Sequence, residues 1–535
     1  MYNTKKFICL AIAGICMFAC RPAGDDILSY GRNDYQSFDP ASESYSQQFK
    51  ALWLAMNENY CIWDYESEHG VDWDAVYETY LPQFEALDEE AKSAEITRER
   101  VETLYRQFLD SLHDGHLAIQ LKFPANGSSI ISISPGRDRN VRERNEEYEL
   151  TKQYITTPAI YSIQGGNCHI EELDSVNGLS AAFTFAAGQL QQILARGQTF
   201  LDELEPMYGT SAAIDSAYRS VEKLVEQAEY IVTSYVAENN MWSTVVTYNT
   251  LCDRYSGLDN IIGVSMTKVD DALYQDNLGS IYVARFAGNI MYLRLSTFVL
   301  TRHLEPSMRS TDTTSMYYAY QKQVESVWHK WFDAIRLYHS EGTLGGIIID
   351  VRNNSGGYVN DYKYVIGALL PEGGYSPCMM RIKNGLGRLD YAPLMPFVMP
   401  TYSGEHAVIT EEPVVVLANI QSGSMAEQTA WGAKTMPNGV FIGTRTWGGL
   451  SALNTDPADY STSYSGAFGV QYETSIFGYV PKYVALYDVN NDGNYKVIEG
   501  IGITPDIEVP FDVDLYTSTG RDNQLEAAIN YIDTH

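Results

Sequence analysis

The chain has 535 residues and a formal net charge of −31 at pH 7, with 45% hydrophobic and 20% charged residues. That length supports two or three domains and a sizeable core, and the composition is globular, which excludes a wholly disordered chain. The acidic balance argues against a nucleic-acid partner, since no basic stripe is present to neutralise phosphates; it is compatible with a domain held at or near a surface.

At the N-terminus, Lys5 and Lys6 precede an apolar run from Phe7 to Ala19, then Cys20 and the polar Arg21-Pro22-Ala23-Gly24-Asp25. This reads as a signal peptide, too short to span a bilayer as a permanent helix. Ala19-Cys20 resembles a bacterial lipoprotein processing site, with Cys20 as the lipidated first residue and Met17 standing where Leu is usual; plain secretion is the alternative. The expected place is the bacterial cell envelope, lipid-anchored to a membrane and facing the periplasm or the cell exterior, with residues 21–44 as a polar tether. Cys61, Cys168, Cys252 and Cys378 are widely spaced without a CxxC pair, which argues against a zinc site. An exported protein can oxidise a pair of them, and the spacing does not choose which.

Residues 45–123 read as an N-terminal helical cap. Phe49, Leu52, Trp53, Met56 and Tyr60 fall at helical spacing, and Arg98 to Leu112 places Val101, Leu104, Tyr105 and Phe108 on one face. That helix is expected to stop at His113-Asp114-Gly115-His116, before the alternating strand Leu117 to Phe123. Residues 124–279 form an insert, loop-rich at first, then helical over 173–205 and again where Tyr218, Val221, Leu224, Val225, Ala228, Ile231, Val232 and Tyr235 recur. From 280 to 512 strands alternate with helices. Ile281–Arg285, Ile290–Leu295, Gly346–Asp350, Val414–Leu417 and Val440–Gly443 read as strands, and Tyr317–His339 and Asp361–Leu370 as helices. Such alternation predicts an α/β domain with a largely parallel sheet. Residues 513–535 are a C-terminal segment.

Two junctions carry potential chemistry. Ser422-Gly-Ser-Met-Ala-Glu427 lies between an apolar strand and a helix, where a serine hydroxyl is near backbone N–H groups and the positive end of the helix dipole. Either serine could instead simply cap the helix. Asp350-Val-Arg-Asn-Asn-Ser-Gly-Gly357 follows a buried strand, and its two glycines allow close backbone approach to a ligand, although an ordinary Asn/Gly-rich turn also fits.

Taken in order, Leu112-His-Asp-Gly-His116, Ile348 to Gly357, Val415 to Glu427, Gly443-Thr-Arg-Thr-Trp-Gly448 and Ile501-Gly-Ile-Thr-Pro-Asp-Ile-Glu-Val509 resemble the C-terminal processing and tricorn-type serine peptidases. The resemblance spans roughly residues 45–123 and 280–512. It implies an α/β, ClpP/crotonase-like catalytic core with an N-terminal helical cap and a largely helical insert. It makes Ser424 the nucleophile, with Met425 and Gly356 or Gly357 as oxyanion N–H donors. Family members usually carry a PDZ domain between cap and core, and residues 124–280 show no convincing signal for one.

The base divides that family. In the Ser/Lys branch a lysine follows the Thr-x-Gly of the next strand; here that position is Gly449, Arg445 stays protonated, and Lys434 lies ten residues past Ser424 on the same helix. The tricorn-like branch implies His116 as base and Glu499 as the carboxylate that orients it. His113, on the last helical turn, competes with His116 and is the less favoured of the two. Glu499 has a rival role as the twelfth residue of Asp488-Val-Asn-Asn-Asp-Gly493, a calcium-loop pattern; strand-like flanks favour a hairpin instead.

The leading expectation is a lipid-anchored serine endopeptidase cleaving peptides or unfolded segments by a Ser-His-Glu mechanism, without metal or cofactor. Its partners are a peptide or protein substrate and a membrane, with no nucleic acid. One alternative is a catalytically weak or inactive peptide-binding envelope protein of the same fold. The other is an esterase or acyl hydrolase using the same triad.

Overall fold

The computed structural model describes residues 44–123, 126–155, 170–269, 281–371, 375–385, 387–451, 475–481 and 483–535. The expected signal peptide, Cys20, most of the tether and Cys168 lie outside the described residues. The fold is mixed α/β and divides into two compact units.

The first unit comprises Met1–Arg142, Cys378–Pro396 and Ser451–Gly500. Its helices Tyr45–Asn59, Trp63–Glu68, Trp73–Ala91 and Arg98–Leu109 realise the expected cap. The apolar spacing read from the sequence is what packs. Phe49 stacks on Phe84 with ring centroids 4.6 Å apart and meets Phe108 edge-on at 5.0 Å. Offset and edge-to-face contacts of this kind add to the area buried. The last helix ends at Leu109, three residues short of the expected Leu112. Strand Ala118–Phe123 pairs antiparallel with both Asn126–Ile133 and Ile476–Tyr479, alternating half-buried and buried side chains as its sequence does.

The second unit comprises Glu143–Pro377, Phe397–Leu450 and Ile501–His535. Its centre is a seven-stranded sheet in the order Ile507–Glu508, Gly439–Gly443, Val414–Ala418, Gly346–Asp350, Ile290–Leu295, Ile281–Phe286 and Ile170–Val176. The first five run parallel and the last two pairings are antiparallel. Gly346–Asp350 and Val414–Ala418 are buried throughout, which explains their unbroken apolar sequence: a parallel strand covered on both faces has no polar side to show. Asn523–Thr534 covers one face, with Leu525, Ala528, Ile529 and Ile532 packed on Tyr292, Ile348, Val415 and Ile442.

Three expectations are corrected. The insert is not separate from the core, because Ile170–Val176 is the sheet's antiparallel edge strand; helices Gly178–Leu204, Ala212–Ile231 and Met241–Tyr255 follow it. The C-terminal segment is part of the same core through Asn523–Thr534. Residues 361–370 form two 3-10 turns, Val359–Tyr364 and Ile366–Leu369, not an α-helix. The buried Asp361 carboxylate accepts the Leu300 and Thr301 amides, and Val365 between the turns has φ −113° and ψ −95°. Among the described residues, no helix is long and apolar enough to cross a membrane.

Candidate active site

In the second unit, strand Val414–Ala418 hands over to helix Met425–Thr435 through a sharp turn with Ser424 at φ 53° and ψ −116°. A non-glycine residue there is strained by on the order of 1–3 kcal/mol, and such strain persists where the surroundings over-determine it. They do so here. The Ser424 amide donates to Gly449 O at 3.0 Å and to Glu427 Oε2 at 3.1 Å. Glu427, fully buried, also accepts from Thr446 Oγ1 (2.6 Å), Gly448 N (2.7 Å) and Gly449 N (2.8 Å). One carboxylate therefore locks the helix start to the turn after strand Gly439–Gly443. Ser422 is buried and committed: its hydroxyl donates to Val351 O at 2.8 Å and accepts from Asn419 N at 2.9 Å. Ser424, only partly buried, is the serine presented outward.

The glycine turn lies directly against it. A Cβ on Gly356, whose φ is +106°, would sit 2.5 Å from Ser424 Cβ and 3.0 Å from Met425 N, so only glycine permits this approach. Gly356 N–H is already donated to Asn354 Oδ1 at 2.8 Å, which removes it as an oxyanion donor. The amides of Gly357 and Met425 have no acceptor among the described residues. Of the two glycines considered, Gly357 is the one with an N–H to offer.

A buried ionic cluster fixes the strand that leads into this turn. Arg352 makes paired contacts to Asp350 at 3.0 and 2.7 Å and reaches Asp522 and Gln524 at 3.0 Å each, while Arg294 and Tyr292 meet Asp350 at 2.9 and 2.8 Å. Burial alone would raise the Asp350 carboxyl, but Arg352 and Arg294 outweigh it and hold the group well below the usual carboxylate range. Lys434 is ion-paired with Asp506, and Gly449 stands where a lysine base would be, so neither offers an amine to Ser424.

In the first unit, His116 is a half-buried imidazole whose Nδ1 is shielded from solvent. Burial lowers its pKa to about 4, so the ring is neutral at physiological pH, the form a general base requires. His113 is occupied elsewhere: its Nδ1 meets Glu66 Oε2 at 2.7 Å and its amide donates to Glu66 Oε1 at 2.8 Å. Glu499 turns inward. Its Oε1 accepts from Gly115 N at 3.1 Å, and its Oε2 from Ser451 N and Oγ at 2.8 and 3.0 Å. Gly115 thus anchors the loop to Glu499 and does not end a helix.

The calcium-loop reading loses its twelfth ligand to these contacts, and the Asp488 oxygens accept the Asp492 and Gly493 amides at 2.9 Å each. One oxygen each from Asp114 and Glu499 and one His116 nitrogen lie within 4.8 Å of one another, the atom types of a cation site. Of these three residues, Asp114 Oδ2 and His116 Nδ1 are buried atoms without a hydrogen-bond partner among the described residues, fewer than the three protein ligands of a catalytic zinc. Cys61, Cys252 and Cys378 are buried and form no disulfide among the described residues.

A strained serine on a strand-to-helix turn, beside backbone amides with no acceptor among the described residues, has the features that a nucleophile with an oxyanion site needs. Residues 289–509 match the model of peptidase family S41, and residues 41–102 that of the tricorn protease C1 domain. Over those residues the chain is similar to the tricorn-type S41 serine peptidases. It is 26% identical over 200 residues to the tricorn protease of Thermoplasma volcanium and 29% over 196 residues to a tricorn protease homolog of Saccharolobus solfataricus. These stretches cover 37% and 36% of this chain but only 15% of either relative. Among solved structures, mature CPAF is similar at 14% identity and TM-score 0.42, covering 92% of this chain and 95% of that one. The tricorn protease crystal structure is similar at 19% identity and TM-score 0.23, covering 51% of this chain and 24% of that one.

Sequence reasoning missed the roles of Glu427, Asn354, Asp114 and Ser451. Glu427 and Asp114 stood inside quoted motifs, and a buried-charge argument could have singled them out. Nothing local marks Ser451.

Proposed function

We propose that this protein is a lipid-anchored serine endopeptidase of the cell envelope, acting on peptides or unfolded protein segments by a Ser-His-Glu mechanism. Ser424 attacks the scissile carbonyl, and the amides of Met425 and Gly357 receive the developing oxyanion. His116 takes the Ser424 proton and returns it to the leaving amine, and Glu499 supports the imidazolium that forms between those steps. The observation that carries the reading is Ser424 held at positive φ with Gly356 pressed against it and two neighbouring amides without an acceptor among the described residues. Half-buried His116, held neutral by desolvation, supports the choice of base. The anchor rests on the apolar run ending in Ala19-Cys20.

Cleavage of an unfolded protein by wild type, Ser424→Ala and His116→Ala tests the mechanism. Both variants are expected to lose about 10³-fold or more in kcat while remaining folded. Wild-type rates in Ser424→Ala would overturn it. Incorporation of labelled fatty acid in a bacterial host, abolished in Cys20→Ser, tests the anchor.

A further inference from the structure

Beside His116 stands one more carboxyl than a Ser-His-Glu triad uses. Asp114 is fully buried, and its Oδ1 accepts the backbone N–H of His116 at 2.7 Å and of Leu117 at 3.0 Å. Its Oδ2 is buried with no hydrogen-bond partner among the described residues, and so is His116 Nδ1. A buried polar atom without a partner costs about 1–3 kcal/mol, and these two complementary atoms belong to neighbouring residues that, with Glu499, bring one ligand-type atom each within 4.8 Å of one another. Glu499, in contrast, spends both oxygens on Gly115 and Ser451.

We propose that Asp114 is a positioning residue of the active site, its Oδ2 receiving Nδ1–H of His116, while Glu499 holds Gly115 and Ser451 in place and shares the negative charge. This rests on His116 being the base for Ser424. As the Ser424 oxygen bonds to the substrate carbonyl, its proton moves to His116 Nε2. Nδ1–H stays on its nitrogen and donates to the Asp114 carboxylate. The Nε2 proton then leaves with the amine, and the neutral Nδ1–H ring is restored.

The arrangement has a pH consequence. Burial first, then the Glu499 charge, pushes the Asp114 carboxyl well above the usual range, against the pull of the His116 and Leu117 amides; Glu66 adds to the rise. Tyr60 and Cys61 also sit within reach of the Asp114 charge, and Arg381 and Lys383 within reach of Cys61. A protonated Asp114 would donate to Nδ1 and place the ring proton on Nε2, the tautomer that cannot accept from serine. Activity therefore requires the ionised carboxyl, and the rate climbs with pH as that proton leaves.

Asp114→Asn in the full-length protein tests this. The expected result is a loss of about 10²-fold or more in kcat and in fluorophosphonate labelling rate, with KM changed less than about 3-fold. The acid-side limb of the wild-type pH profile should also disappear. A variant that keeps wild-type kcat and the same acid limb, beside inactive Ser424→Ala and His116→Ala, overturns the role of Asp114 and leaves the base assignment standing. His116→Ala labelling at the wild-type rate overturns the base assignment instead. Should Asp114→Asn not fold, 15N-histidine NMR of Ser424→Ala decides: His116 is expected as the Nδ1–H tautomer at neutral pH, passing to Nε2–H on acidification. Nε2–H throughout overturns the proposal.

Discussion

Ser424 accepts backbone strain in exchange for position, and this gives a stability prediction opposite in sign to the activity prediction. Glycine adopts φ 53°, ψ −116° without the Cβ penalty, so Ser424→Gly should stabilise the protein by about 1 kcal/mol in a urea melt while abolishing hydrolysis. Gly356→Ala should do the reverse to the fold. Its Cβ would sit 2.5 Å from Ser424 Cβ at a φ of +106°, and a loss of about 2–4 kcal/mol together with activity is expected. A second residue-scale effect lies away from the site. His303 is fully buried, both ring nitrogens lack hydrogen-bond partners among the described residues, and burial, then Arg302, lowers its pKa to about 3. The unfolded chain protonates this ring near pH 6.5, so stability is fully present above that value and is lost as pH falls toward 3. Urea melts at pH 7.5 and 4.5 should differ by about 2 kcal/mol less in His303→Phe than in wild type. An equal difference would contradict the assignment.

Elements were legible where one segment decides its own fate. The buried strands announced themselves by unbroken β-branched runs, and the cap helices by aromatic spacing. The stretch after Tyr358 misled because Tyr362, Val365, Ile366 and Leu369 also fit a helix; Asp361, bound to the distant Leu300 and Thr301 amides, decides otherwise. Glu427 shows the same limit within the site. The motif was readable, but the carboxylate's task depends on Thr446, Gly448 and Gly449, some twenty residues further on. The Arg352 cluster is the element-scale support of the glycine turn, and Arg352→Met removes its centre. Asp522 would lose its counter-charge and Asp350 one of two, and a destabilisation of about 3–5 kcal/mol is expected by denaturant melt.

At the scale of the whole chain, linear boundaries read from sequence gave way to interleaved ones. Residues 451–500 join the N-terminal helices in one unit, and Ile170–Val176 joins the sheet from the far side of the chain. Texture along a sequence cannot reveal such returns, because pairing partners hundreds of residues apart leave no local trace. The last helix illustrates the cost of overlooking them. Leu525, Ile529 and Ile532 seal one face of the sheet, and at roughly 1.5–3 kcal/mol per buried side chain their loss rivals the net stability of a domain. A protein truncated after residue 521 should therefore express without a cooperative thermal transition. The central claim, that Ser424 is the nucleophile, is tested most directly by mapping the residue modified by a fluorophosphonate probe in the intact protein. The account predicts a single adduct on the peptide containing Ser424, absent in Ser424→Ala and slowed at least a hundredfold in His116→Ala, a size typical of losing a catalytic base. An adduct on Ser422, or undiminished labelling in Ser424→Ala, would contradict it.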